Sequence, residues 1–373
     1  MNILLKKQVS GILANIVGPS SRENSFSQLL ESLDQIKSIQ TARTNQIHSE
    51  NLFECRVKDY GCDSITGTSP SNPDKKNQDS LIMIKDFYRI SNSFVFAVLD
   101  GHGVNGHLVS NYVKRRFPIN LEQVVLKQLN VKVPHKNHIP VYGTVRRTVS
   151  TRIIDNMTLR IAPMLKHEVI LEAFKMTNRD LYLSNIDIAV SGTTLVSVLI
   201  ASDFLVCSNV GDSRAIIGSL KGSSWEVKAI SHDHKPDSPK ERKRITQSNG
   251  RVEHCVDNYG KAIGPSRVWR QGEDVPGLAM SRALGDKLAS EVGVIAVPDI
   301  VEERISNEDK ILIIASDGVW EYLTNMEAIE IVAECQKEGA EAAAKKLVRK
   351  ARNKWENDKV GIDDITAIVA FFN

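Results

Sequence analysis

The apolar positions of the chain change period along its length. Near the amino end Leu5, Val9, Ile12, Leu13, Ile16 and Val17 recur at helical spacing, the stripe of an amphipathic helix. A second stripe of Phe26, Leu29, Leu30, Leu33 and Ile36 follows Ser25 and Gln28, whose spacing is that of a capping box. Polar residues from Gln40 to Asn51 then read as a linker. An extension over 1–52 and a main domain over 53–373 are therefore expected. Beyond the linker, short β-branched and apolar runs take over: 53–60, 80–85, 93–99, 192–200, 205–210, 215–217, 310–315 and 365–372. Helical spacing returns over 107–116, ending before Pro118, and over 168–183. Ser238-Pro239-Lys240-Glu241 has the order of an N-cap, a first-turn proline and a capping-box glutamate, with Gly250 closing that helix. Two terminal helices are expected near 325–337 and 340–356. Thr324 and Glu327 cap the first; Ala343, Leu347 and Ala351 line the inner face of the second. The stretch 253–285 reads as loop-rich.

Charge and composition add limits. The chain of 373 residues carries a net charge of +3, with 42% hydrophobic and 25% charged residues. That is ordinary for a globular protein and gives no basic footprint for nucleic acid. No apolar run reaches the length of a membrane span. Cys55, Cys62, Cys207, Cys255 and Cys335 form no metal-type pair, which argues for a reducing compartment, cytoplasmic or nuclear. Residues 1–22 hold Lys6, Lys7 and Arg22 but no acid, so organelle targeting, a membrane-surface helix and a docked helix all stay open. Residues 132–160 are basic and broken by Pro134, Pro140 and Gly143. They read as part of an insertion over 118–165, within which Arg146-Arg147-Thr148 suits a basophilic kinase or a docking partner.

The chemistry collects at strand ends. The run Ser93–Leu99 stops at Asp100-Gly101-His102-Gly103, and 310–315 stops at Ser316-Asp317-Gly318. Asp212 follows Gly211 in a turn, and Asp363 follows Gly361. One such aspartate is a turn former; four on apolar strands form a set. Gathered carboxylates repel unless cations neutralise them, and oxygen donors suit Mg²⁺ or Mn²⁺ rather than zinc. Two such ions can acidify a water for in-line attack on phosphorus, while a neighbouring histidine protonates the leaving oxygen. Lys75 and Lys76, before Asp79 on a polar loop, could meet an anion beside such a metal.

The motifs Asn77-Gln78-Asp79, Asp100-Gly101-His102-Gly103, Ser191-Gly192-Thr193-Thr194, Gly211-Asp212-Ser213-Arg214, Asp233-His234-Lys235-Pro236, Gly277 to Asp286, Ser316-Asp317-Gly318 and Asp363-Asp364-Ile365-Thr366 run in one order. By them the chain resembles the metal-dependent serine/threonine protein phosphatases of type 2C. The resemblance implies an α+β fold of four layers, α/β/β/α, with two stacked antiparallel sheets between helices. It implies two Mg²⁺ or Mn²⁺ ions, a weaker third, phosphoprotein substrates and a monomer. Asp100 would bridge the ions and Gly101 would offer its carbonyl. Asp317, Asp363 and Asp79 would be further ligands, Asp212 would serve the third ion, and His102 would be the general acid. Residues 253–276 would be the flap beside the cleft.

Three departures stand out. Many relatives carry Glu where Gln78 stands, so a metal-site charge is missing. Many place an arginine before that position, where only Lys75 and Lys76 are found. The last motif often reads Asp-Asn, so Asp363 is favoured as ligand with Asp364 in reserve. Two rivals follow. His254-Cys255 with Lys261 approaches the phosphate loop of a cysteine phosphatase, but lacks its arginine. A pseudophosphatase would keep the fold as a phosphoprotein-binding module.

Overall fold

The computed structural model describes residues 55–70, 72, 74–87, 92–128, 167–358 and 361–373. The chain divides into two units, Met1–Glu54 and Cys55–Asn373. The amino-terminal stripes, the linker and the Arg146-Arg147-Thr148 motif lie outside the described residues.

Two five-stranded antiparallel sheets carry the domain. One has the order Val57–Ile65, Ile365–Phe372, Asp309–Ala315, Arg214–Lys221, Ser224–Ala229. The other has the order Asp299–Arg304, Phe204–Val210, Leu195–Ala201, Ser93–Leu99, Ser80–Lys85. The strand Ser93–Leu99 shows why the sheets stack. All seven of its residues are buried, so its alternating side chains serve two cores. Phe94, Phe96 and Val98 meet Ile217, Leu312, Ile314 and Ile368 between the sheets. Val95, Ala97 and Leu99 face away, toward Val109, Val113 and Phe174 of the helices Gly106–Gln128 and His167–Tyr182. On the far side, Ile313, Ile365 and Val369 pack on Ile329, Ala343, Leu347 and Ala351 of the helices Asn325–Ala333 and Ala340–Asp358. The order helix, sheet, sheet, helix is the four-layer α+β arrangement expected.

Three local expectations are corrected. The helix from Gly106 does not stop before Pro118 but runs through it to Gln128. Pro118 costs the helix about 3 kcal/mol. Phe117, Leu121, Val124 and Val125 are all buried on the following turns, each worth about 1.5–3 kcal/mol, and burial wins. Residues 118–128 thus belong to this helix rather than to an inserted loop.

The stretch 253–285 is not mainly loop. Gly250–Val256, Ala262–Arg270 and Pro276–Leu278 form a three-stranded antiparallel sheet. Only Val252 and Val268 are buried apolar residues of its two longer strands, too few to show as a periodic signal. His254 and Cys255 lie in this ladder, Cys255 opposite Ile263. They form no phosphate-cradling loop.

The third correction concerns the helix Pro239–Gln247. It has Pro239 in its first turn, but Ser238 makes no side-chain cap. Glu241 is turned inward instead, and the chain leaves the helix through Asn249 at φ 61°, not through Gly250. By contrast, the Thr324–Glu327 capping box is present in full.

Candidate active site

Carboxylates from both sheets converge at one end of the sandwich. Asp100 ends the central strand Ser93–Leu99. Its backbone is clamped by the next motif: Asp100 N donates to Thr194 Oγ1 at 2.9 Å, and Thr194 N and Thr193 Oγ1 donate to Asp100 O at 2.9 and 3.1 Å. The Gly101 backbone passes so close to its neighbours that an added Cβ would lie 2.4 Å from Gly106 O and 2.6 Å from Gln78 O. Only glycine fits there, and its carbonyl is presented beside the aspartate. Asp317 opens the short helix Asp317–Trp320 at the end of the partner sheet's strand Asp309–Ala315.

Electrostatics show that these groups share one site. Burial and the charges of Asp317, Asp79, Asp363 and Asp212 together hold the Asp100 carboxyl well above its usual range. Burial also raises Asp317, aided by Asp212 and Asp363, although a hydrogen bond with Asp100 opposes the rise. Burial pushes Asp79 up to about 7 against hydrogen bonds from Thr366 and Ser316, the Ser316 hydroxyl donating to Asp79 Oδ2 at 2.8 Å. The Asp363 carboxyl is raised too, by desolvation among the neighbouring groups although its side chain is half exposed, with Lys75 pulling the other way. Such mutual discomfort is the signature of a missing positive charge.

The buried oxygens Asp79 Oδ1, Asp212 Oδ1 and Asp317 Oδ1 have no hydrogen-bond partner. Among the described residues, no three His, Cys, Asp or Glu side chains close around a single point. Mg²⁺ characteristically keeps several waters and takes only one or two carboxylates. The donor set, all oxygen and with orphaned lone pairs, therefore fits hydrated hard cations rather than a closed protein cage.

One consequence is testable through pH. Asp79 holds its proton more tightly folded, near 7, than its ordinary 3.8. Stability of the chelator-treated protein is thus greatest below about pH 4 on this group's account and falls as pH rises toward 7. Urea melts in EDTA at pH 5 and pH 8 should give the higher midpoint at pH 5. Asp79→Asn should reduce the difference, the raised carboxyls of Asp100, Asp317 and Asp363 keeping the remainder; an unchanged slope in that variant would contradict the assignment.

The other expected residues sit less simply. Asp212 is buried and paired with Lys235, whose Nζ lies 2.5 Å from Asp212 Oδ2. Asp363 is 49% exposed at its side chain, whereas Asp364 is 4% exposed and fully engaged. Asp364 accepts from Gly67 N and Gln78 N, both at 2.8 Å, and meets Lys75 Nζ at 2.5 Å. Asp364 is thus a buried loop brace, and Asp363 is the one turned toward the cluster. The same contacts correct the expectation for Lys75. Its ammonium is buried and ion-paired with Asp364, with Asp363 at 3.6 Å, so it is not an exposed phosphate hook. Lys76 is exposed and forms no ion pair among the described residues.

Gln78 gains an unforeseen role. Its Nε2 donates to Gly103 O at 2.8 Å, and its own carbonyl accepts from Ser110 Oγ at 2.6 Å and Gly101 N at 3.2 Å. It staples the Asp79 loop to the Asp100–Gly103 turn. Gln78→Glu should therefore not simply restore a metal charge. It sets a carboxylate against the Gly103 carbonyl across a solvent-exposed contact and should lower stability by about 0.5–1.5 kcal/mol in metal-free buffer. A denaturation midpoint equal to wild type would refute this.

His102 meets Asp286, Nε2 to Oδ2 at 2.6 Å. Burial alone would lower its pKa, but the Asp286 charge and hydrogen bond outweigh it, so the imidazolium titrates above its ordinary value. Asp286 was not singled out in the sequence, because its partner lies 184 residues away. Glu241 and Arg282 were missed for the same reason. Arg282 donates to Glu241 Oε2 and Oε1 at 3.0 and 2.9 Å, and to Asp299 at 2.8 Å. Both Glu241 and Arg282 are almost fully buried.

Known proteins are similar to this chain in sequence and in fold. A family model described as Protein phosphatase 2C matches residues 65–360. Probable protein phosphatase 2C 48 of Oryza sativa subsp. japonica is 35% identical over 310 residues, 80% of each chain. Probable protein phosphatase 2C 72 of Arabidopsis thaliana is 31% identical over 342 residues, covering 87% of this chain and 92% of its own. In fold, a serine-threonine phosphatase 2C from Toxoplasma gondii superposes with a TM-score of 0.65 at 22% identity, over 86% of this chain and 98% of that one. A C. elegans sex determining protein gives 0.59 at 18% identity, over 96% and 75%.

Proposed function

The chain belongs to the protein phosphatase 2C family, and on that premise we propose that it is an active protein serine/threonine phosphatase using two Mg²⁺ or Mn²⁺ ions. The observation that carries this reading is the convergence of Asp79, Asp100, Asp317 and Asp363, whose charges oppose one another, beside a histidine held by its own carboxylate. A binding module would gain nothing from that electrostatic cost, since an amide at any of these positions would relieve it.

Asp100, Asp79, Asp317 and Asp363, with the Gly101 carbonyl, would hold the two ions, and Asp212 a weaker third. Bound there, the ions supply Lewis-acid charge and an acidified water for attack on phosphorus. The chain's own work is positional. Lys76, exposed at the edge of the cluster's loop, draws the substrate phosphate by charge. As the ester P–O bond breaks, His102 passes its proton to the departing serine or threonine oxygen, which would otherwise leave as an alkoxide. The substrates on this reading are phosphoproteins. Among the described residues no helix is long and apolar enough to cross a membrane.

Hydrolysis of a phosphothreonine peptide, titrated with Mn²⁺ and with Mg²⁺, tests the proposal. Turnover should rise with either ion to the millimolar range, vanish in EDTA and persist in vanadate. No turnover at millimolar metal, with retained binding of the phosphopeptide, would leave the pseudophosphatase as the correct description.

A further inference from the structure

Asp286 is a buried carboxylate for which the metal chemistry above has no use. Its side chain is 2% exposed, and its backbone takes the left-handed conformation at φ 44°, uncommon for a residue with a side chain. Three contacts hold it there. Asp286 N donates to Ser191 O at 3.0 Å; the preceding Gly285 N donates to Asn178 Oδ1 at 3.0 Å; the Tyr182 hydroxyl donates to Gly285 O at 3.2 Å. The helix His167–Tyr182 thus presents Asp286 to the Asp100–Gly103 turn. Space is cleared for the meeting, since a Cβ on Gly192 would lie 1.9 Å from Asp286 Oδ2 and 2.7 Å from His102 Nε2.

With Nε2 occupied, the imidazole has one nitrogen left. His102 Nδ1 is buried and has no hydrogen-bond partner. A carboxylate accepts only, so the Asp286 contact requires the proton on Nε2 and fixes both the tautomer and the ring plane. We infer that Asp286 is a positioning residue that holds His102 through Nε2–H, so that Nδ1 is the nitrogen that protonates the leaving oxygen. This rests on the reading of His102 as general acid. In the step, water forms the new P–O bond, its protons staying with the inorganic phosphate released, and the ester P–O bond breaks. The Nδ1 proton goes to the serine or threonine oxygen, leaving a neutral imidazole with its Nε2–H still on Asp286.

The test exploits the leaving group. A threonine alkoxide needs a proton as it departs; p-nitrophenolate needs far less help. Asp286→Asn, chosen because Asn tolerates left-handed backbone, should lower kcat on a phosphothreonine peptide about 10²-fold. Its loss on p-nitrophenyl phosphate should be at least about tenfold smaller, at unchanged Mn²⁺ dependence. His102→Gln should show the same asymmetry, and the double variant should lose no more than the worse single one. Equal losses on both substrates for Asp286→Asn, or losses that multiply in the double variant, would overturn the positioning role while leaving His102 as acid. A His102→Gln variant without asymmetry would overturn the acid assignment and this inference with it. Should Asp286→Asn lose its thermal transition, Asp286→Ser measured in the same way decides.

Discussion

Asp317→Asn is expected to lose about a thousand-fold in phosphopeptide turnover and, at the same time, to be more stable than the wild type in EDTA. The activity loss follows from removing one anionic donor from a site whose ions supply several kcal/mol of transition-state stabilisation, at about 1.4 kcal/mol per tenfold. The gain in stability follows from the same charge seen without metal. Asp317 is buried beside Asp100, Asp212 and Asp363, and its carboxyl is held well above its usual range. In the metal-free protein at neutral pH, one fewer buried charge relieves desolvation and repulsion. A relief of about 1 kcal/mol raises the Tm of a domain this size by about 1–2 °C. Scanning calorimetry with and without Mn²⁺ separates the two effects. Wild-type Tm should climb with the ion, and Asp317→Asn should start higher and climb less. A variant that is destabilised in EDTA, or that keeps wild-type turnover, would sink the metal assignment of Asp317.

The second large effect lies away from the chemistry. Arg282→Met should cost up to about 3–5 kcal/mol, because it removes the buried cation that engages both oxygens of Glu241 and leaves Arg244 alone to balance that charge. Arg282 engages both oxygens of Glu241, the Val297 carbonyl and Asp299. The Ser281 hydroxyl and Arg244 complete the set around Glu241. Although burial raises Glu241, the hydrogen bonds from Arg282 and Ser281 bring it down to about 2. Its contribution is therefore fully present above about pH 4.5 and lost as pH falls toward 2. This network ties the helix Pro239–Gln247 to the segment that leads into Asp286, so its failure should also slow turnover through His102. Glu241→Leu combined with Arg282→Met should recover part of the loss, since two well-packed apolar groups replace a pair whose desolvation was costly. Urea midpoints of the wild type, Arg282→Met and the double variant check this. A wild-type midpoint for Arg282→Met would show that the pair contributes nothing.

Much of this was open to a reader of the chain alone. Strand ends are legible because an apolar run of period two stops abruptly at Asp and Gly. Asp100, Asp212, Asp317 and Asp363 were located in that way, and the order of eight short motifs named the family and hence the stacked sheets. Periodicity also placed the capping box at Thr324 and the inner face at Ala343, Leu347 and Ala351, both of which are properties of one helix and its own neighbours.

What the sequence could not decide was partnership across distance. Gln78 reads as a metal ligand exchanged for an amide, yet its side chain braces the Gly103 carbonyl. Lys75 reads as a phosphate hook, yet Asp364 takes its ammonium. Glu241 reads as a capping-box residue, yet it is drawn inward by Arg282, 41 residues on. For Glu241 a capping preference worth about 1 kcal/mol gives way to a buried charge that would go unsatisfied otherwise, at several times that cost. Local pattern determines where strands stop and helices begin. Only the packed structure, by taking water away from these polar groups, determines which of them hold one another and which are left free for a cation or a leaving group.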